Sequence, residues 1–142
     1  MIAIDTNLLV YAHRSGMAEH RAAREAIERA AATPSGWGFS LPCLGEFFSV
    51  VTHPASRPRP SEPAIASAYL DSLVRAGARI WSPGDGFGAR WLKAAVRLDL
   101  RGPRMFDLQI AMLAHDHGAT EVWTHDREFT SVPGLAVVDP LP

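Results

Sequence analysis

The chain has a single cysteine, a single lysine and no long apolar run. One cysteine, Cys43, excludes an intramolecular disulfide and a cysteine-based zinc site, so it is expected to serve as a small buried hydrophobe. Without about 20 consecutive apolar residues no helix spans a membrane, and no basic-then-apolar leader stands at the N-terminus, so the chain reads as cytoplasmic with no membrane partner. An excess of one charge is missing too. The 14 basic and 15 acidic residues give a formal net charge of −1, which offers no general attraction to nucleic acid. Lys93 apart, the bases are all arginine, a residue suited to bidentate phosphate contacts and equally the product of a biased genomic composition.

What is present points to one domain over residues 1–142, because 47% hydrophobic residues in a chain of 142 can build a sizeable core. Strand and helix patterns alternate along it, as expected of an α/β fold with a parallel sheet of about five strands and helices on both faces. Ile2 to Ile4, Trp37 to Leu41, Arg79 to Trp81, Glu121 to Thr124 and Leu135 to Val138 read as the strands. Between them, helical spacing predicts a helix from about Met17 to Ala32 with an alanine-rich face, and another beginning at Pro42. Further helices are expected after Ser61, with the stripe Ile65, Tyr69, Leu70, Leu73 and Val74; through Trp91, Leu92, Ala95 and Leu98; and from Phe106 to about His117, with Phe106, Ile110 and Leu113 facing the core. Thr52 to Pro63 carries Pro54, Pro58, Pro60 and Pro63, which predicts an irregular and mobile excursion.

Four acids separate from the rest by location. Asp5 and Asp126 follow strands, whereas Glu46 and Asp107 fall near helix starts, which puts all four on the carboxyl edge where open α/β sheets bind ligands. Asp5 or Thr6 would also serve as a helix cap there. Glu19, Glu25, Glu28 and Asp71 lie on amphipathic helices, where a solvated face accounts for them. Four ionised carboxylates in one crevice repel, so they require raised pKa values or a bound cation, and all-oxygen ligands favour Mg²⁺ or Mn²⁺. His115 and His117 stand two apart on a helix and cannot share a face; none of the six histidines is expected to be catalytic.

Asp5-Thr6-Asn7 after the first strand, the lone Glu46, Asp107 within Phe106 to Ala111, and Thr124-His125-Asp126 resemble the PIN-domain nucleases, in particular the VapC toxins of bacterial VapBC toxin–antitoxin pairs. The resemblance runs through the whole chain and implies a three-layer α/β/α PIN domain acting as a metal-dependent endoribonuclease. It makes Asp5, Glu46, Asp107 and Asp126 the acidic quartet, with Asp5 and Asp107 as direct Mg²⁺ (or Mn²⁺) ligands and Asn7 and Thr124 as supporting polar residues. It also implies an RNA substrate, a VapB-like antitoxin and a homodimer. Arg57, Arg59, Arg101 and Arg104, on Pro- or Gly-bearing loops, are candidates for holding the RNA backbone, or else simply solvated loop charges. Ile65, Tyr69, Leu70 and Leu73 with Phe47, Phe48 and Val51 fit either the core or a dimer face.

Two other classes fit parts of this pattern. A DxDx[TV] phosphatase also has an acid after its first strand, but Asn7 stands where the second acid belongs, Ala89 replaces the later acid after Gly84-Asp85, and Lys93 is the only lysine. A non-catalytic RNA-binding or protein-interaction PIN module would share the fold, and an intact quartet argues against it.

Overall fold

The structure, a computed structural model, describes residues Met1–Pro142. Eleven elements alternate along it: β1 (Ile2–Ile4), α1 (Thr6–His13), α2 (His20–Ala31), β2 (Trp37–Ser40), α3 (Leu41–Thr52), α4 (Pro63–Arg75), β3 (Arg79–Trp81), α5 (Phe87–Arg97), α6 (Arg104–Asp116), β4 (Glu121–Trp123) and β5 (Ala136–Val138). The strands form one all-parallel sheet in the order β3-β2-β1-β4-β5. As the central strand, β1 is covered on both faces, which is why Ile2-Ala3-Ile4 is apolar throughout rather than alternating. Ile4 lies level with Trp123, so β1 and β4 release the chain side by side at their carboxyl ends.

Helices lie on both faces of the sheet, in the three-layer α/β/α arrangement that the sequence implied. Helix α1 packs on both α2 and α3, and α3 on α4, while α5 packs on α6 and α6 on β2 and α3. No helix is long and apolar enough to cross a membrane. Cys43 is fully buried, as its isolation implied.

Helix α6 explains two departures from the expected helix faces. It is wedged between two apolar clusters, giving Ile110, Ala111 and Ala114 to the main core and Leu108, Met112 and Leu113 to a smaller one shared with α5. A helix buried on two sides has no single stripe, and Phe106 is left 54% exposed at its first turn. Helix α5 is covered mainly by α6, with Leu100 and Val132 at the edge of their shared cluster. Its buried set is therefore Phe87, Ala94 and Ala95 with Trp91 half-buried, while Leu92, at 61% exposed, and Leu98 face outward. In α4 the inner residues are Ala66, Leu70 and Leu73; Ile65 and Val74 are exposed.

The proline-bearing segment has no helix or strand between Thr52 and Pro63, yet it is fastened to the body. Arg14, at the end of α1, donates to the carbonyls of Arg59 and Val51, both at 2.7 Å, and to Ser56 Oγ. His13 adds a bond of 2.9 Å to Ser61.

Candidate active site

Asp5 is the first residue beyond β1, and its backbone N–H extends the sheet ladder to the Trp123 carbonyl at 3.0 Å. Its side chain is both a helix cap and a site group. Oδ1 accepts from the Thr6 backbone N–H at 2.8 Å, capping α1, while Oδ2 accepts from Thr124 Oγ1 at 2.7 Å and Asn7 Nδ2 at 3.2 Å. Asp5 is only 7% exposed. Burial raises its pKa to about 6, against the pull of the Thr124 and Thr6 hydrogen bonds and with a smaller push from the charges of Glu46 and Asp107.

Thr124, fully buried beyond β4, ties the two strand ends together. Its hydroxyl donates to Asp5 and accepts from Asn7 Nδ2 at 2.9 Å and from the Asp126 N–H at 3.1 Å. Asn7 Oδ1 in turn accepts the His125 N–H at 3.2 Å. Both expected supporting residues thus hold Asp5 and the turn that carries Asp126.

Glu46 reaches the same recess from α3, where the Thr6 hydroxyl donates to its Oε2 at 2.8 Å. Thr6 thus does more than the capping expected of it. The contact joins residues 40 apart, and its only sequence signal is a hydroxyl at the first position of the helix that Asp5 caps. Asp107 arrives on the first turn of α6, and α6 is fixed to the sheet by Ser40 Oγ donating to the Ile110 carbonyl at 2.8 Å. Burial raises the pKa of Asp107 too, reinforced by the charges of Asp126 and Glu46.

These placements give two adjoining recesses that share Asp107. The first, about 330 Å³, is lined by Asp5, Thr6, Asn7, Tyr11, Glu46 and Asp107, with Val10, Val50 and Ile110 as its apolar wall. That volume is at the small end of the roughly 300–1,000 Å³ usual for ligand sites. The second holds Asp107, Asp126, Arg104, Glu128 and Pro103. Asp126 therefore faces Asp107 and not Asp5. Among the four arginines, only Arg104 lines either recess, where it bonds the Glu128 carbonyl at 3.2 Å and lies 3.6 Å from its carboxylate. Arg101 pairs with Asp99 in the α5–α6 connection, and Arg57 and Arg59 lie on the segment tethered by Arg14. No histidine lines either recess; the nearest in sequence, His125, has Nδ1 2.9 Å from Asp139.

No three His, Cys, Asp or Glu side chains converge tightly enough to grip an ion by themselves. The charged donors are all carboxylate oxygens, with the hydroxyl and amide oxygens of Thr6, Asn7 and Tyr11 beside them. Mg²⁺ commonly keeps several waters and takes only one or two carboxylates, so an open set such as Asp5 and Asp107 suits it chemically.

Fold and site together define an acidic-cleft α/β/α domain, with carboxylates delivered by β1, α3, α6 and the turn after β4. The chain belongs to the PIN-domain family, whose pattern matches residues 2–135. It is 31% identical over 142 residues to ribonuclease VapC43 of Mycobacterium tuberculosis, covering 99% of this chain and 96% of that one. It is also 28% identical over 138 residues to ribonuclease VapC48 of the same organism, covering 96% and 95%. Among solved structures, the M. tuberculosis sarcin-ricin-loop-cleaving toxin VapC20 matches with a TM-score of 0.69 over 91% of this chain and 92% of its own. At 19% identity, that likeness speaks for the fold.

Proposed function

We propose that this protein is a VapC-type endoribonuclease toxin that hydrolyses RNA phosphodiester bonds in the recess of Asp5, Glu46 and Asp107, with Mg²⁺ or Mn²⁺ as cofactor. The observation that carries this reading is a buried carboxylate, Asp5, fixed by three donors and facing two further carboxylates in an open cleft. Burial and like charge have raised two of these pKa values, a strain that a divalent cation would relieve. Asp5 and Asp107 would hold the ion, with Glu46 and Asp126 acting directly or through water. Bound there, it would orient a water and offset charge on the scissile phosphate. Thr6, Asn7 and Thr124 keep the carboxylates aimed.

The VapC names of the relatives support a VapB-like antitoxin as partner. Homodimerisation through α3 and α4 is part of the same proposal, supported by an apolar groove of about 470 Å³ that Leu44, Phe48, Val74 and Ile80 line. The decisive experiment incubates purified protein with RNA and Mg²⁺ or Mn²⁺. Cleavage should require the ion, stop in EDTA, and be lost in Asp5→Asn and Asp107→Asn chains that remain folded. Undiminished cleavage by both variants would remove the assignment.

A further inference from the structure

The cleft of Asp5, Glu46 and Asp107 has one aromatic side chain in its wall, Tyr11. It follows Asn7 by one turn of α1, so the helix face that carries a site residue also carries the ring. Both tyrosines are half-buried against the main core, but Tyr69 is enclosed by other rings, stacking on Phe47 at 5.3 Å and 26° and tilting against His13 at 4.9 Å. Tyr11 has a single ring neighbour, His125, whose centroid is 6.1 Å away and whose plane is turned by 79°. An edge contact of this kind fixes a ring without covering it as a stacked neighbour would. His125 is itself held, by Asp139 at 2.9 Å and by its backbone N–H on Asn7. The phosphodiester cleft is thus bordered by a braced aromatic ring.

Electrostatics gives that ring a task. The chain carries a net charge of −1 and the cleft is acidic, so no general electrostatic attraction draws RNA to it. Stacking on an aromatic face is independent of charge and tolerant of sequence.

We infer that Tyr11, braced by His125, is a nucleobase platform that stacks an unpaired base beside the phosphodiester held at the carboxylates. The inference rests on the ribonuclease reading and assigns Tyr11 the contact to a base left unpaired beside the cut, because a base within a duplex already has both faces covered.

The test uses a mixed-sequence single-stranded RNA containing 2-aminopurine, bound by the full chain carrying Asp107→Asn so that the RNA stays intact. Tyr11→Phe keeps the π face, and Tyr11→Leu keeps apolar bulk without it. The phenylalanine chain should bind within about twofold of the parent and quench 2-aminopurine equally. The leucine chain should lose the quenching and bind about tenfold more weakly or worse, with its melting temperature confirming the fold. Quenching and affinity retained by the leucine chain would overturn the platform; so would equal weakening by both, which makes the hydroxyl the contact. A separate arm asks whether the chain with native Asp107 cuts the same RNA in Mg²⁺. Failure there counts against the ribonuclease reading and leaves the binding comparison standing on its own.

Discussion

Thr124 Oγ1 donates to Asp5 Oδ2 at 2.7 Å, joining the turn after β4 to the end of β1. The same oxygen accepts from Asn7 and from the Asp126 N–H, so one hydroxyl sets three groups. Thr124→Val preserves shape and removes the acceptor of the Asp126 N–H and of one Asn7 N–H, leaving Asn7 Nδ2 only its bond to Asp5 Oδ2. RNA cleavage should fall roughly 10- to 100-fold, the usual loss when a group that orients a ligand is removed. Thr124→Ser should retain most of the activity. Wild-type rates in the valine chain, measured at equal RNA and metal, would remove Thr124 from the site.

The raised pKa of Asp5 makes stability depend on pH in a defined direction. The folded chain holds the Asp5 proton up to about pH 6, whereas an ordinary aspartate releases it near 3.8, so between these values the folded state binds more protons. Stability from this group is complete below pH 3.8 and is lost as pH rises through 6. Ionised at pH 7, buried Asp5 therefore costs the fold stability that its protonated form does not. The raised Asp107 acts in the same sense. Denaturation in EDTA should therefore show Asp5→Asn gaining stability over the parent at pH 7.5 and not at pH 4, a gain limited because the amide brings a donor among donors. Mg²⁺ should stabilise the parent more at pH 7.5 than at pH 5. A flat profile for the parent would show that Asp5 titrates normally.

Thr6 offers a comparison between aim and charge. Its hydroxyl bonds Glu46 and leaves every carboxylate in place, so Thr6→Val removes orientation without changing net charge. Cleavage should drop about tenfold while the Mg²⁺ concentration for half-maximal activity rises. Thr6→Ser should restore both. If valine and serine chains behave alike, Glu46 is positioned by α3 alone.

The contrast between Asp5 and Thr6 also shows how far the sequence could be read. Asp5, Asn7 and Asp107 were legible because a strand-to-helix junction or a first helical turn determines their edge of the sheet from local pattern alone. Thr6 to Glu46 and Ser40 to Ile110 were not, since each contact spans at least 40 residues and depends on how α3 and α6 come to rest against the strands. The exposed Phe106 and Leu92 follow the same logic. Periodicity identifies a helix, but how many neighbours cover it decides which apolar residues are buried, and α6 has two apolar sides where α5 has one.

The arginines give the last prediction, because the structure separates residues that sequence position groups together. Arg104 shares a recess with Asp107 and Asp126, whereas Arg101, two residues beyond its partner Asp99, lines neither recess. Arg104 is also engaged by Glu128, so incoming phosphate must compete with a carboxylate for its guanidinium. Arg104→Ala should weaken single-stranded RNA binding several-fold and reduce the slope of log affinity against log salt by about 0.7, the value for one lost phosphate contact. Arg101→Ala should leave both within error. Glu128→Gln should move the other way, tightening RNA a few-fold at low salt and little at high salt, where an exposed pair is screened. These are fluorescence-anisotropy titrations at four or more salt concentrations. An unchanged slope for Arg104→Ala, or equal losses for Arg101→Ala and Arg104→Ala, would take the phosphate out of that recess.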